Sequence, residues 1–488
     1  MMISILLLAL APYPLPLPSV VPPSMFQEPE VVRFAAAKKA ATATLVAELE
    51  EYVAWCQKSK AYLQRDLANQ IILDWDSDHK EARKALGFKW SKKEAKWIAP
   101  KSTRKAKDLD AKSAVIAKAM RDEILGDFST RILTAMDHDT ALKTAERQTV
   151  IDSLLDARPN NAELRTRNGQ VIKTGTELEP IWILKESQRA LVWRKLLDER
   201  KRDLFANVPA ATPVPANATE RDLGVPWSVL QGNKRVRVLS TGGQEEADKV
   251  SATCHVVWDY VRDLFGHRFE PSYAVYLLDN QVDQATFIKG WPDIEPDTRK
   301  VLLQTAGYGF STQAIAQWGD LPEKRIDGSC RLSLAIIMGL RFGVTSNQGW
   351  VQEGFGMYVT DQLLGTRLTF FVQKSDYEDK GKIKLDRAMY DSSSDWLTLA
   401  KEELSSEPPP NLSFLVGRNV NTLTPPDLLV SYALASYFLE GCEPAVTQKV
   451  LTGLGAGKNP VEVLEAELGF DMGTLAKRLR QYLEEIGK

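Results

Sequence analysis

Residues 332–340 read "LSLAIIMGL", apolar almost all the way round a helix. A helix of that kind has no face to give to solvent and is buried on every side. It therefore demands a domain large enough to surround it. The chain can supply one, with 488 residues, 44% of them hydrophobic and 26% charged, enough for two or three domains of ordinary globular composition. Soon after the apolar run comes "GWVQEGFGMY", which opens an amphipathic stretch and sets Glu353 at the start of a second helix. A carboxylate facing a buried apolar helix is costly unless it is paired. Arg331, at the head of that run, or another cation nearby, is a possible charge partner. The competing expectation leaves Glu353 exposed in a first helical turn, where the helix dipole favours it.

Charge and cysteine usage exclude several classes. The net charge of -2 gives no electrostatic case for nucleic acid, and the lysine-bearing "KSTRKAKDLDAK" at 101–112 is mixed in sign, as on a solvated helix face. Cys56, Cys254, Cys330 and Cys442 lie far apart with no C-x-x-C pair, so spacing supports neither a zinc ribbon nor a dense disulfide framework. Of the four histidines, His79 sits among charges and reads as a surface residue. His138 in "DHD" reads as a helix boundary. His255 lies within a long helix and His267 follows its stop, and no two histidines are four apart.

Composition divides the chain. Residues 1–29 begin with an apolar run too short to span a bilayer and of the length of a signal-peptide core. No Lys or Arg precedes it, prolines crowd the cleavage region and no lipoprotein Cys follows. The expectation is an exported protein with no stable transmembrane span; a greasy N-terminal tail or a mis-assigned start, which would leave the protein cytoplasmic, is the alternative. Residues 30–100 read as a small helical module, with Leu45, Leu49, Val53 and Cys56 at helical spacing, Asp76 or Ser77 as an N-cap, Gly87 as a stop and 89–98 as a hairpin. Residues 101–206 are charged and mostly helical. "NVPAATPVPANATERDLGVP" marks a Pro/Ala linker at 207–226. Residues 227–488 then give a strand, a long helix, a second strand, a ribbon, the apolar helix 329–341, the helix near Trp350 and a run of C-terminal helices. The fold class is α+β, predominantly helical.

That order of elements, with Trp350, Glu353, Gly354 and Tyr358 in a W-x-x-E-G-x-x-x-Y phrase, resembles the gluzincin metallopeptidases, the peptidase-MA-like group, over about residues 230–488. The stretch around "DWDSDHKEARKALGF" resembles a module of exported planctomycete-type proteins. The gluzincin resemblance implies a small mixed sheet followed by a helical lobe, with His-Glu-x-x-His on the apolar helix and a third zinc ligand at Glu353. Two histidines four apart share a helix face and reach one ion, and the glutamate after the first takes a proton from the bound water. With Phe342-Gly343 and Glu353-Gly354 as anchors, the first histidine falls on Ser329, the general base on Cys330 and the second histidine on Ser333. A shift of two residues uses Arg331, Leu332 and Ala335. Neither register holds a histidine or a general base, so no metal or cofactor is expected. Cys330 with His255 as a thiol–imidazole pair has nothing in the sequence to bring the two together.

The function this implies is a catalytically inactive, peptidase-like protein of the cell envelope or exterior, binding a peptide, a wall component or a protein partner, or acting as a scaffold. An active peptidase with unconventional ligands and a structural helical adaptor are the alternatives.

Overall fold

The computed structural model describes residues 29–100, 106–175, 180–266, 270–292, 294–303, 305–310, 313–370, 385 and 388–487; the expected signal peptide and His267 lie outside them. The chain forms two compact units that divide between Pro159 and Asn160. It is α+β and predominantly helical, and among the described residues no helix is long and apolar enough to cross a membrane.

The first unit is built on three helices, Pro29–Lys58, Tyr62–Trp75 and Ala111–His138. The helical spacing noted above becomes its core: Leu45, Leu49 and Cys56 are fully buried, and Trp75 meets Phe128 edge-on at 4.7 Å. Carboxylates cap two of these helices. Asp108 accepts from the backbone N–H of Leu63 at 2.8 Å, and Asp110 from that of Ser113 at 3.1 Å. The short helix Lys80–Ala85 is capped by neither Asp76 nor Ser77. His79 Nδ1 accepts from the N–H of Ala82 at 3.2 Å, because the helix begins two or three residues later than composition suggested. Gly87, at φ +84°, follows it, and β1 (Lys89–Ser91) pairs antiparallel with β2 (Lys96–Ile98). His138 is the last residue of its helix.

The second unit begins well before the expected linker. Hairpin β3 (Gln170–Gly175) and β4 (Pro180–Leu184) leads into the helix Lys185–Ala206, whose Ala190 and Leu204 join the same core as the C-terminal helices. Region 101–206 is therefore split between the units. Residues 207–226 are part of the second unit rather than a connection between two: β5 (Thr212–Pro213) adds to the sheet edge, and buried Glu220 accepts from Arg237 at 2.7 Å. A proline-rich strand is tolerated there because an edge leaves one row of donors unused.

The sheet runs β5-β6-β7-β8-β10-β9. Strands β7 (Val236–Ser240), β8 (Tyr273–Leu277) and β10 (Ala314–Gln317) are parallel neighbours; β6 (Val229–Gly232) and β9 (Gly307–Phe310) run antiparallel beside them. The two-residue period sends Val238, Val275 and Ile315 to one face, against Val250, Cys254 and Ile336. Leu239, Tyr276 and Ala316 go to the other, against Phe287, Phe310 and Trp318. The first face is covered by helices Gln244–Phe265 and Pro322–Phe342, the latter longer at its start than the apolar run alone implies. Pro322 suits a first helical turn, and Gly343 closes the helix in the left-handed region at φ +79°. Arg325, 1% exposed, fixes the helix start by a bidentate pair with Glu246 at 2.6 and 2.8 Å. A large apolar core then joins this helix to the lobe formed by the described residues of 350–486.

Candidate functional site

Glu353 lies in a π-helical turn, Trp350–Phe355, that runs directly into the helix Gly356–Leu364. π-turns widen the helix by one residue and often accompany function. The carboxylate is buried, 4% exposed. Its Oε1 accepts from Arg331 Nη1 at 2.7 Å, while its Oε2 and the Arg331 Nε have no partner among the described residues. Two glycines make the pair possible. A Cβ on Gly354 would stand 2.3 Å from the carbonyl oxygen of Ser431, so only glycine lets this turn sit against the helix Pro425–Ser436. A Cβ on Gly356 would stand 2.7 Å from Arg331 Cγ, in the path of the arginine stem.

The flanking aromatics are core residues. Trp350 and Tyr358 are fully buried; Trp350 contacts Phe355 and Phe438, and Tyr358 meets Tyr432 edge-on at 4.9 Å. Burial, reinforced by the charge of Glu440, holds the Tyr358 phenol well above its ordinary pKa.

Ser329, Cys330 and Ser333 are not brought to Glu353. Ser329 and Ser333, four apart, share a helix face, but the residue midway between them is turned about 200° away. That residue is Arg331, and it alone of the helix's two registers meets the carboxylate. The serine face looks towards helix Gln244–Phe265, where Ser333 Oγ donates to Cys254 Sγ at 3.1 Å and Cys254 Sγ lies 4.0 Å from the Ser329 carbonyl. Burial pushes the Cys254 thiol up to about 11 and raises that of Cys330 as well, which leaves both protonated and unreactive. His255 belongs to another cluster: it lies 3.3 Å from Asp259, with Arg235 Nη1 2.8 Å from its Nε2. Burial, and then Arg235, hold its pKa below the ordinary value.

One residue of the face that carries Arg331 was missed by sequence reasoning. Asp327 precedes Arg331 by one turn and is 1% exposed. It accepts from Thr366 Oγ1 at 2.8 Å and from the backbone N–H groups of Leu368 and Thr369 at 3.0 and 2.9 Å, pinning the segment that follows the second helix. The signal was its spacing: Asp327 and Arg331, not Ser329 and Ser333, are the charged i, i+4 pair at the head of an apolar helix.

Among the described residues no group of three or more His, Cys, Asp or Glu is placed to hold a metal ion. A guanidinium in contact with the carboxylate offers neither a lone pair to an electrophile nor a site for an incoming proton. Two surface grooves lie elsewhere. One of about 800 Å³ separates helices Pro444–Gly455 and Pro460–Leu468, and one of about 520 Å³ lies between hairpin β3–β4 and the helix Met472–Ile486. Compared with known protein families, curated proteins and solved structures, the chain matches none.

Proposed function

We propose that residues 227–488 form a gluzincin-like domain without zinc chemistry, and that the protein works by binding, as a pseudo-peptidase or scaffold of the cell envelope or exterior. The observation that carries the reading is the 2.7 Å contact between Arg331 and Glu353. At the position where the resemblance calls for a third zinc ligand, the carboxylate is already neutralised by a fixed cation from the helix that would carry the histidines. The order of elements adds support: parallel strands with an antiparallel edge strand, a long buried helix, a Glu-Gly turn, then a helical lobe. The ligand class that suits such a domain is a peptide, a wall component or a protein partner.

Metal content and peptide cleavage by the purified full chain test this. The expected result is no stoichiometric zinc and no chelator-sensitive turnover. Stoichiometric divalent metal together with cleavage that disappears in Glu353→Gln would overturn the reading and restore the peptidase alternative.

A further inference from the structure

The first unit carries a feature that this reading does not use. In hairpin β1–β2, Trp90 stands directly opposite Trp97. The two indoles meet edge-to-face at 5.6 Å and 69°, and the Arg83 guanidinium lies 5.7 Å from the Trp97 ring. Trp97 is thereby fixed against the module, whereas Trp90 is 51% exposed and held outward. The alternation of the strand places Ile98, 46% exposed, on the opposite face beside Lys89. The turn between the strands adds Lys92 and Lys93, both exposed. The turn's one acid, Glu94, is already paired with Lys96 at 2.9 Å. Lys89, Lys92 and Lys93 have no ion pair among the described residues.

A short hairpin thus ends in an outward indole, a second exposed apolar side chain and three unneutralised ammonium groups on flexible stems. The net charge of the whole chain, -2, does not cancel this. Salt screens charges beyond about 8–10 Å at physiological ionic strength, so a surface approaching the hairpin meets the local charge. The chemistry narrows the partner. An indole with an apolar body and a polar N–H settles at the headgroup level of a bilayer, and lysine stems lie along apolar surface while their heads stay wet. Anionic leaflets attract lysines through a diffuse potential that needs no fixed geometry. Single-stranded nucleic acid asks for something different: a platform of open aromatic faces and the planar fork of arginine. Here Trp97 is edge-on to Trp90 and has Arg83 beside its ring, and the turn carries lysines only.

We propose that residues 89–98 are a membrane-surface contact, in which Trp90 seats among the headgroups of an anionic lipid bilayer and the turn lysines Lys92 and Lys93 lie against its phosphates. The inference is independent of the proposal for residues 227–488. It describes peripheral attachment, and among the described residues no helix offers a span.

Co-sedimentation of the purified full chain with vesicles tests it, using phosphatidylcholine alone or mixed with phosphatidylglycerol. Binding is expected only with the mixed vesicles, weakening as salt is raised. Each lysine removed should weaken it roughly fivefold, so K92E/K93E should lose at least about twenty-five-fold, and W90A severalfold. Both changes are on exposed side chains, and far-UV circular dichroism checks that helix content is kept; K92Q/K93Q replaces the reversal variant if it is not. Wild-type protein that binds neither vesicle, binds both equally, or keeps its binding in K92E/K93E and W90A overturns the proposal. So does an oligothymidylate that binds more tightly than the mixed vesicles and is lost in K92E/K93E, which would assign the hairpin to nucleic acid.

Discussion

The second unit contains the same device twice. Trp350–Phe355 and Tyr437–Gly441 are both π-helical turns, and each holds a Glu-Gly step in which the glutamate is buried and the glycine is packed hard against a neighbouring element. Each carboxylate is met by an arginine from another helix: Arg331, on the helix just before, to Glu353 at 2.7 Å, and Arg194, far away in sequence, to Glu440 at 2.8 Å. They differ in what surrounds the pair. Glu440 Oε2 also has Ser436 Oγ at 3.3 Å and Tyr482 OH at 3.4 Å, and Tyr482 OH lies 2.9 Å from Ser436 Oγ. Glu353 has Arg331 and no second partner among the described residues. A Glu-Gly step in a π-turn is thus, in this molecule, first a way of packing helices closely. Only the sparser of the two turns retains the simplicity expected of a ligand position.

Removing the arginines should separate the two turns most strongly. Arg194→Met strands a carboxylate whose side chain is wholly buried and should lower the stability of the second unit by about 3–5 kcal/mol. Arg331→Met should fall at the lower end, about 3 kcal/mol, because the Glu353 side chain is 5% exposed against 0% for Glu440, and Arg331 makes no second bond to match that of Arg194 to Ser436 Oγ. Urea unfolding followed by tryptophan fluorescence reads both, and equal losses would erase the contrast. R331M/E353L should recover most of the loss, since an apolar pair of similar volume removes the buried charge altogether; a double variant no better than R331M would show that the pair has a positive structural role.

The glycines give the next effect. Gly354→Ala places a methyl 2.3 Å from a backbone oxygen, which cannot move aside, and should destabilise by about 3 kcal/mol. Gly441→Ala meets the Glu186 Cβ at 3.1 Å and the Tyr482 ring at 3.2 Å and should lose about 1 kcal/mol. Thermal melts of the two variants side by side sharpen the comparison, and a reversed order would break it.

A smaller, pH-dependent effect lies outside both turns. His255 faces Arg235, Asp259 and Arg262. Its folded pKa lies below the unfolded value of about 6.5, so in that window the unfolded chain binds more protons. Stability is full above about pH 6.5 and is lost as pH falls towards the folded pKa. His255→Gln should show a shallower drop in melting temperature than wild type on acidification; identical slopes would exclude His255 as the source. Finally, all four cysteines are free and buried, so a thiol reagent should label none in native protein and four after denaturation. Rapid native labelling of Cys330 or Cys254 would show that the serine face of the helix is open.

What could be read in advance follows from how local the governing physics is. The long amphipathic helix with Leu45, Leu49 and Cys56, the hairpin 89–98 and the α+β order of residues 227–488 rest on periodicity and turn chemistry, which act over a few residues. Arg331 could be named as a partner for Glu353 because a buried carboxylate demands a cation and the apolar helix bears one beside its apolar run, but the sequence equally allowed an exposed Glu353 in a first helical turn, which its 4% exposure overturns. The errors arose where the deciding neighbour is remote. Residues 207–226 have the composition of a linker, yet β6 and Arg237 take them into the sheet. Ser329 and Ser333 have the spacing of a ligand pair, yet the rotation of the helix gives that face to Cys254. Asp327 carried no motif, and its role lies in N–H groups about forty residues away.

The sequence by itself determined that an apolar helix must be enclosed, that it carries no imidazole, and that a glutamate opens the element that follows. Tertiary structure alone decided which side of that helix the glutamate meets, and that a second Glu-Gly turn repeats the arrangement. Spacing fixes which residues share a face, but a helix can be turned about its axis without any change in its sequence pattern. That angle is set by the closest approach its neighbours allow, here at Gly354 and Gly356.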